Sequence, residues 1–187
     1  MLETFEPDLP IRTDRLVLRP LTEADVPALL AYRGDAEVCR WLPFEPMDEA
    51  EVRRRLRDHW STTVLTGPGS SLTLGIDVDG ALVGDVVLFV KDRGARLAEV
   101  GWVLAPQHEG RGYATEAARV LLAVAFDGLR AHRVIARMDP DNTASAAVAA
   151  RLCMRREALL IEDELFKGAW ADTLLYALLE REHRAAP

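Results

Sequence analysis

The chain has 187 residues, 49% of them hydrophobic, which suits one ordinary domain, expected to span 1–187, whose core needs neither disulfides nor metals. Its formal net charge of −7 disfavours a nucleic-acid partner, which needs a basic footprint, and leans towards cationic partners. Cys39 and Cys153 form no C-x-x-C pair, Met1–Leu9 lacks a signal-peptide core, and no apolar run reaches bilayer length, so we expect a reducing cytoplasm, no metal site and no membrane contact.

Arg15 to Arg19 reads as a short strand, with Leu16 and Leu18 on one face and Pro20 as its stop. Thr22, with Asp25 three residues on, resembles a capping box and opens a helix through Val26, Leu29 and Leu30 to Gly34; Pro27 falls in the tolerant first turn. Glu37 to Pro46 is expected to be irregular, after which Asp48 caps a charged, solvated helix through Val52, Leu56 and Trp60. A Gly/Ser/Thr-rich loop over 62–71 leads to alternating Leu72, Leu74, Ile76 and Val78. Asp79-Gly80 then signals a hairpin into a strand over 81–90.

After a polar turn over 91–96, a third long strand places Val100, Trp102 and Leu104 on one face and Glu99, Gly101 and Val103 on the other, and Pro106 ends it. From Ala114, the residues Ala117, Ala118, Leu121, Leu122, Ala125 and Leu129 keep helical spacing, and the helix should end near 128–132. A strand over 133–139, a turn over 140–143 and a short alanine-rich helix over 144–152, capped by Asn142 or Thr143, follow. Strands over 158–166 and 170–179, joined at Lys167-Gly168, close the chain. Antiparallel strands, then a strand-helix-strand unit, a short helix and a hairpin predict an α+β domain of three layers.

Gln107-His108-Glu109-Gly110-Arg111-Gly112-Tyr113-Ala114 lies between the strand ending at Leu104 and the long helix. Two glycines opening a helix suit a pyrophosphate, because backbone amides can approach closely and the first-turn N–H groups are free. The alternative is a turn that needs glycine only for its angles. A Walker A loop is excluded, since Arg-Gly-Tyr rather than Lys-Ser/Thr follows Gly110, and a Rossmann fingerprint fits poorly, with Thr115 at its last position and antiparallel strands before it.

Gln107-x-x-Gly110-x-Gly112-Tyr113-Ala114 resembles the coenzyme A motif of the Gcn5-related N-acetyltransferases (GNAT). Four further phrases are similar to the RimJ/RimL branch of that family. They are Thr13-Asp14-Arg15-Leu16-x-Leu18-Arg19-Pro20-Leu21, Gly112-Tyr113-Ala114-Thr115-Glu116-Ala117, Asn142-x-x-Ser145, and Phe166-Lys167-Gly168-x-Trp170-x-Asp172 with Leu175-Tyr176. The resemblance covers nearly the whole chain and implies a mostly antiparallel central sheet, a splayed strand-helix-strand cofactor unit and a C-terminal hairpin. It implies acetyl-CoA as cosubstrate without a metal, direct attack by a primary amine (a protein N-terminus or a small molecule) in a ternary complex, and a monomer or homodimer. One departure is Leu152-Cys153-Met154 where the family has Leu-Gly-Phe; Cys153 reads as a small buried hydrophobe, and Met154 supplies an apolar face.

The resemblance also implies roles. Cofactor contacts fall on Val103 and Leu104, on Gln107, His108, Glu109, Gly110, Arg111, Gly112, Tyr113, Ala114 and Thr115, and on Asn142 and Ser145. A backbone N–H around Val103 and Leu104 would face the developing oxyanion, Asn142 would hold the pantetheine arm, and Ser145 would protonate the departing sulfur; without the family, Asn142 and Ser145 would read as helix caps. Glu164 aligns with a proposed general base, Glu162 would share its strand face, and Glu99 is the competing base. His108 reads as a surface residue whose backbone matters. Trp41, Phe44 and Trp170 are either an acceptor pocket or core plugs. A second reading is a non-catalytic acyl-CoA-binding sensor of the same fold.

Overall fold

The computed structural model describes residues 4–94 and 96–185, so the turn expected over 91–96 and the reading of Met1–Leu9 lie partly outside the described residues. The strands are β1 (Ile11–Arg12), β2 (Val17–Arg19), β3 (Ser71–Val78), β4 (Ala81–Asp92), β5 (Leu97–Leu104), β6 (Arg133–Met138), β7 (Arg155–Phe166) and β8 (Ala169–Leu179). They form one eight-stranded sheet in the order β1-β2-β3-β4-β5-β6-β8-β7. Every pair is antiparallel except β5 with β6. The sheet is thus the mostly antiparallel one expected, with β1 added; two residues carry no periodicity, and β1 exists only because β2 offers it an edge.

Helices cover both faces. On one, α4 (Tyr113–Ala123), continued by one wider π turn over Val124–Gly128, and α5 (Thr143–Arg151) bury Ala117, Ala118, Leu121, Leu122 and Val148 against Leu72, Leu74, Val86, Leu88 and Val100. On the other, α1 (Val26–Arg33), led in by a 3-10 turn over Glu23–Asp25, packs with α3 (Glu49–Arg55) around Leu29, Tyr32, Val52 and Leu56. This second layer explains why Thr73, Gly75 and Asp77 of β3 are buried along with the alternating apolar set. The expected caps form: Thr22 N–H donates to Asp25 Oδ2 at 2.7 Å, Glu51 N–H to Asp48 Oδ1 at 2.8 Å, and Ser145 N–H to Asn142 Oδ1 at 3.0 Å. Within the stretch expected to be irregular, Asp35 caps a single helical turn, α2 (Ala36–Cys39); α6 (Glu180–Ala185) ends the described chain.

The sheet opens at its middle. β5 pairs with β6 only at Leu97↔Arg133, Ala98↔Val134 and Glu99↔Ile135. Beyond Glu99, β5 stays on β4 as far as Gly84↔Leu104, while β6 stays on β8 as far as Met138↔Leu174, so a gap forms between the two parallel strands. Gly84 permits the close approach of β5 to β4, since an added Cβ there would stand 2.3 Å from the Val103 carbonyl oxygen.

Strict alternation fails in β7. Leu160 pairs with Thr173 and Glu164 with Ala171, so three residues between them on β7 face one on β8. Glu162 bulges out with φ 48°, its N–H donating to Asp172 Oδ1 at 2.9 Å. The expected common face of Glu162 and Glu164 is broken by that bulge.

Candidate active site

The loop after β5 presents backbone donors. Ala105 N–H donates to Val83 O at 2.9 Å, and with the antiparallel register this assigns the N–H and C=O groups of Val103, Gly101 and Glu99 to β4. The amides of Trp102 and Leu104 therefore face the gap, which narrows the expectation for Val103 and Leu104 to Leu104. A 3-10 turn over Pro106–His108 follows, then Gly110 at φ 72° and Gly112 at φ 81°, angles that β-carbon-bearing residues rarely adopt. Gly112 supplies no side-chain cap to α4, and the first amide to find a helical acceptor is that of Glu116, 3.0 Å from Gly112 O. The amides of Tyr113, Ala114 and Thr115 are left without a helical partner, at the positive end of the helix dipole.

Side chains brace this loop. Arg111 Nη2 donates to Gln107 O at 3.3 Å, and Arg151 Nε reaches Thr115 Oγ1 at 3.2 Å, tying α5 to the first turn of α4. Gln107 and Glu109 are exposed, whereas His108 is half-buried, with a fully buried Nδ1 that has no hydrogen-bond partner among the described residues; a surface histidine does not describe it. Asn142 uses its carbonyl oxygen as the α5 cap, and Ser145 sits half-buried in the same first turn.

On the α1 side of the sheet, the gap adjoins a cleft of about 330 Å³ between the segment after α2 and the β7–β8 hairpin. Trp41, Met138 and Phe166 form apolar walls, and Glu99, Asp139, Glu164 and Asp172 contribute carboxylates against the cations Lys91 and Arg137. Lys91 Nζ lies 3.0 Å from Glu99 Oε2 outside hydrogen-bond geometry, and Arg137 Nη2 lies 3.6 Å from Glu164 Oε2. Burial opposes the charge on Arg137, but its hydrogen bond to Asp163 and the fields of Asp163, Glu99 and Glu164 outweigh that and raise its pKa. Glu164 and Glu99, far apart in sequence, are thus brought to one cleft, while Ser145 lies outside its lining. The tip of the hairpin is tied across the cleft by Lys167 Nζ, 2.9 Å from the Cys39 carbonyl oxygen.

Two expectations change. Phe44 faces the guanidinium groups of Arg33 and Arg55 at 5.4 and 4.6 Å from its centroid, and Trp170 is 64% exposed, so of the three aromatic residues only Trp41 reaches the cleft. Cys153 is exposed at φ 60°, standing in the left-handed position that glycine would fill at the end of α5, while Met154 is the buried one. The sequence reading also missed a buried network. Arg33 Nη2 donates to both oxygens of Asp85 at 2.6 and 2.7 Å, and Tyr32 donates its hydroxyl to Asp85 Oδ2 at 2.6 Å. The signal was Asp85 itself, a charge inside the apolar run of β4 that demands a partner.

A parallel pair that opens beside a helix N-terminus with free amides makes a cradle suited to an anion, next to a carboxylate-lined cleft. The family model described as the acetyltransferase (GNAT) domain matches residues 15–155, and the chain belongs to that family. It is 30% identical over 172 residues to the uncharacterised N-acetyltransferase YnaD of Bacillus subtilis, covering 92% of this chain and 98% of that one. A GNAT-family acetyltransferase structure from Bacillus anthracis superposes with a TM-score of 0.82 at 29% identity, covering 92% and 99% of the two chains. RimL, a ribosomal L7/L12 α-N-protein acetyltransferase solved with coenzyme A, shares the fold at 21% identity, with a TM-score of 0.73 over 91% of this chain and 97% of its own. Among the described residues no group of three or more His, Cys, Asp or Glu is placed to hold a metal ion, and no helix is long and apolar enough to cross a membrane.

Proposed function

We propose that the protein is a cytoplasmic, acetyl-CoA-dependent N-acetyltransferase of RimJ/RimL type, acting as one catalytic domain, whose acceptor is a primary amine on a protein N-terminus or a small molecule. The observation that carries this reading is the gap between β5 and β6 facing the uncapped start of α4, with the acidic cleft on its far side. Fit is supported by the backbone: Gly110 and Gly112 hold left-handed angles, a Cβ on Gly110 would meet nothing within 4 Å, and the unpartnered amides of Tyr113, Ala114 and Thr115 suit a pyrophosphate. Coenzyme A in the RimL structure adds to it.

When bound, acetyl-CoA supplies an activated acetyl group on a thiol leaving group. Glu164 accepts the proton of the incoming ammonium, so that a neutral amine can attack. The Leu104 N–H would stabilise the negative charge that grows on the thioester oxygen; as the C–N bond forms and the C–S bond breaks, Ser145 would give its hydroxyl proton to the sulfur and regain one from the second proton shed by the amine nitrogen, while the amide nitrogen of Asn142 is left to hold the pantetheine arm. The surplus of carboxylates around the cleft favours a cationic acceptor. The reading is tested by following free thiol released from acetyl-CoA with a panel of N-terminal peptides, polyamines and amino acids. Acceptor-dependent release is expected. Tight acetyl-CoA binding with no release under any acceptor supports the sensor instead. Gly112→Val, which forces a branched residue into φ 81°, is expected to abolish acetyl-CoA binding in a folded protein, and unchanged affinity would sink the loop assignment.

A further inference from the structure

One arginine from the start of the chain reaches the glycine loop. Arg15 lies between β1 and β2 and makes its contacts about a hundred residues further on. Its Nε donates to Glu116 Oε2 at 2.8 Å, and its Nη2 lies 2.6 Å from the same oxygen. Thr13 Oγ1 donates to Glu116 Oε1 at 2.6 Å, so both oxygens of this first-turn carboxylate are engaged by the N-terminal segment. The remaining nitrogen, Arg15 Nη1, donates to the carbonyl oxygen of Arg111 at 2.9 Å, and the guanidinium carbon lies 5.1 Å from the centre of the Tyr113 ring. A Cβ built on Gly112 would stand 3.4 Å from Arg15 Nη2.

The Arg111 carbonyl is the point of leverage. In a trans peptide the C=O and the following N–H point in opposite directions, so fixing the Arg111 carbonyl towards Arg15 turns the Gly112 N–H away from it. Gly112 forms one side of this peptide and Gly110 precedes Arg111 on the other, and glycine has the widest backbone freedom of any residue, so the plane needs an external hold. Charge gives a second reason. Glu116 stabilises the helix start as an acid in the first turn, yet unneutralised it would repel an anion bound there; Arg15, with Nε and Nη2 both on Oε2, offsets its charge.

We propose that Arg15 is a positioning residue for the coenzyme loop: by holding the Arg111 carbonyl and neutralising Glu116, it keeps the Gly112 amide and the first turn of α4 preorganised for a pyrophosphate. The proposal rests on the reading of this loop as the acetyl-CoA site. Arg15 itself touches no reacting atom.

The test is calorimetric titration of acetyl-CoA into the full chain and Arg15→Ala, with steady-state kinetics for donor and acceptor. Arg15→Ala is expected to weaken acetyl-CoA binding about tenfold to a hundredfold through lost preorganisation. The loss should fall on kcat/KM for acetyl-CoA, with the acceptor KM held and kcat at saturating donor losing much less. Arg15→Lys retains the charge but cannot bridge Glu116 and the Arg111 carbonyl together, so it should remain weaker than wild type. If Arg15→Ala does not fold, Arg15→Gln carries the same comparison. Wild-type affinity in a folded variant overturns the proposal, as does a lowered melting temperature with unchanged affinity, which marks a purely structural brace. Absence of acetyl-CoA binding by the wild type removes the loop reading and this proposal together, and so is told apart from a failure of Arg15 alone.

Discussion

Glu164 and Glu99, the two candidate bases, share one cleft, and what separates them is their surroundings. Glu164 is 44% exposed beside Arg137, and Glu99 is 17% exposed beside Lys91. An alkylammonium, with pKa about 10.4, is almost wholly protonated at neutral pH, whereas a peptide N-terminus titrates near 7.7 to 8.0, so the need for a base depends on the acceptor. Glu164→Gln should lower kcat/KM near neutrality by about a hundredfold to ten-thousandfold, with partial recovery at high pH, where solvent has already deprotonated the amine. Glu99→Gln should change the pH profile much less. If Glu99→Gln removes the pH-dependent limb and Glu164→Gln leaves it, the base belongs to β5. At Ser145 the backbone N–H is occupied by the Asn142 cap, but the hydroxyl has no partner among the described residues. Ser145→Ala therefore preserves the cap and should lower kcat about tenfold or more with acetyl-CoA affinity held; a wild-type kcat would return Ser145 to the helix alone.

Elements are docked here by one buried ion pair. α1 is joined to β4 through Arg33 and Asp85, which are 6% and 1% exposed, with the rings of Tyr32, Phe44 and Trp60 around the guanidinium. Burial depresses the Arg33 pKa, but the fields and hydrogen bonds of Asp85 and Tyr32 reverse this and hold it above its ordinary value. Asp85→Ala leaves that charge without its partner in the core and should cost about 3–5 kcal/mol in denaturant unfolding, the range for breaking a buried pair from one side. Arg54→Ala removes ion pairs from the solvent face of α3 and should leave the midpoint close to wild type. Equal losses at the two positions would refute this division.

Across the whole molecule, acid stability follows from the carboxylates held down by arginines. Burial raises the Asp25 pKa, but hydrogen bonds from Arg19 and Thr22 outweigh it and the net shift is downward. Burial likewise opposes Thr13 and Arg15 at Glu116, which is also lowered, and the hydrogen bond from Arg133 takes Glu157 down to about 2. A depressed carboxylate contributes stability above its unfolded pKa, about 3.9 for Asp and 4.3 for Glu, and loses it as pH falls through the folded value. The melting temperature should therefore be level above about pH 5 and fall steadily below about pH 4. Arg19→Gln should flatten the part of that fall that belongs to Asp25; a wild-type acid limb in this variant would exclude that pair as its source.

Local chemistry was enough to place most elements. The helical spacing of Ala117 to Leu129, the Asp79-Gly80 and Lys167-Gly168 turns, the Asp48 and Asn142 caps and the position of Gly110 and Gly112 between a strand and a helix were all legible, because period, turn angle and capping are decided within a few residues. What lies between distant segments was not. The gap beyond Glu99 depends on β5 following β4 while β6 follows β8, and the meeting of Glu164 with Glu99 depends on the same topology. The β7 bulge takes Glu162 off the face it would share with Glu164, and the partners of Asp85 and Glu116 come from segments some fifty and a hundred residues away. Sequence periodicity reports which face a residue takes in its own element; only packing decides which two faces meet.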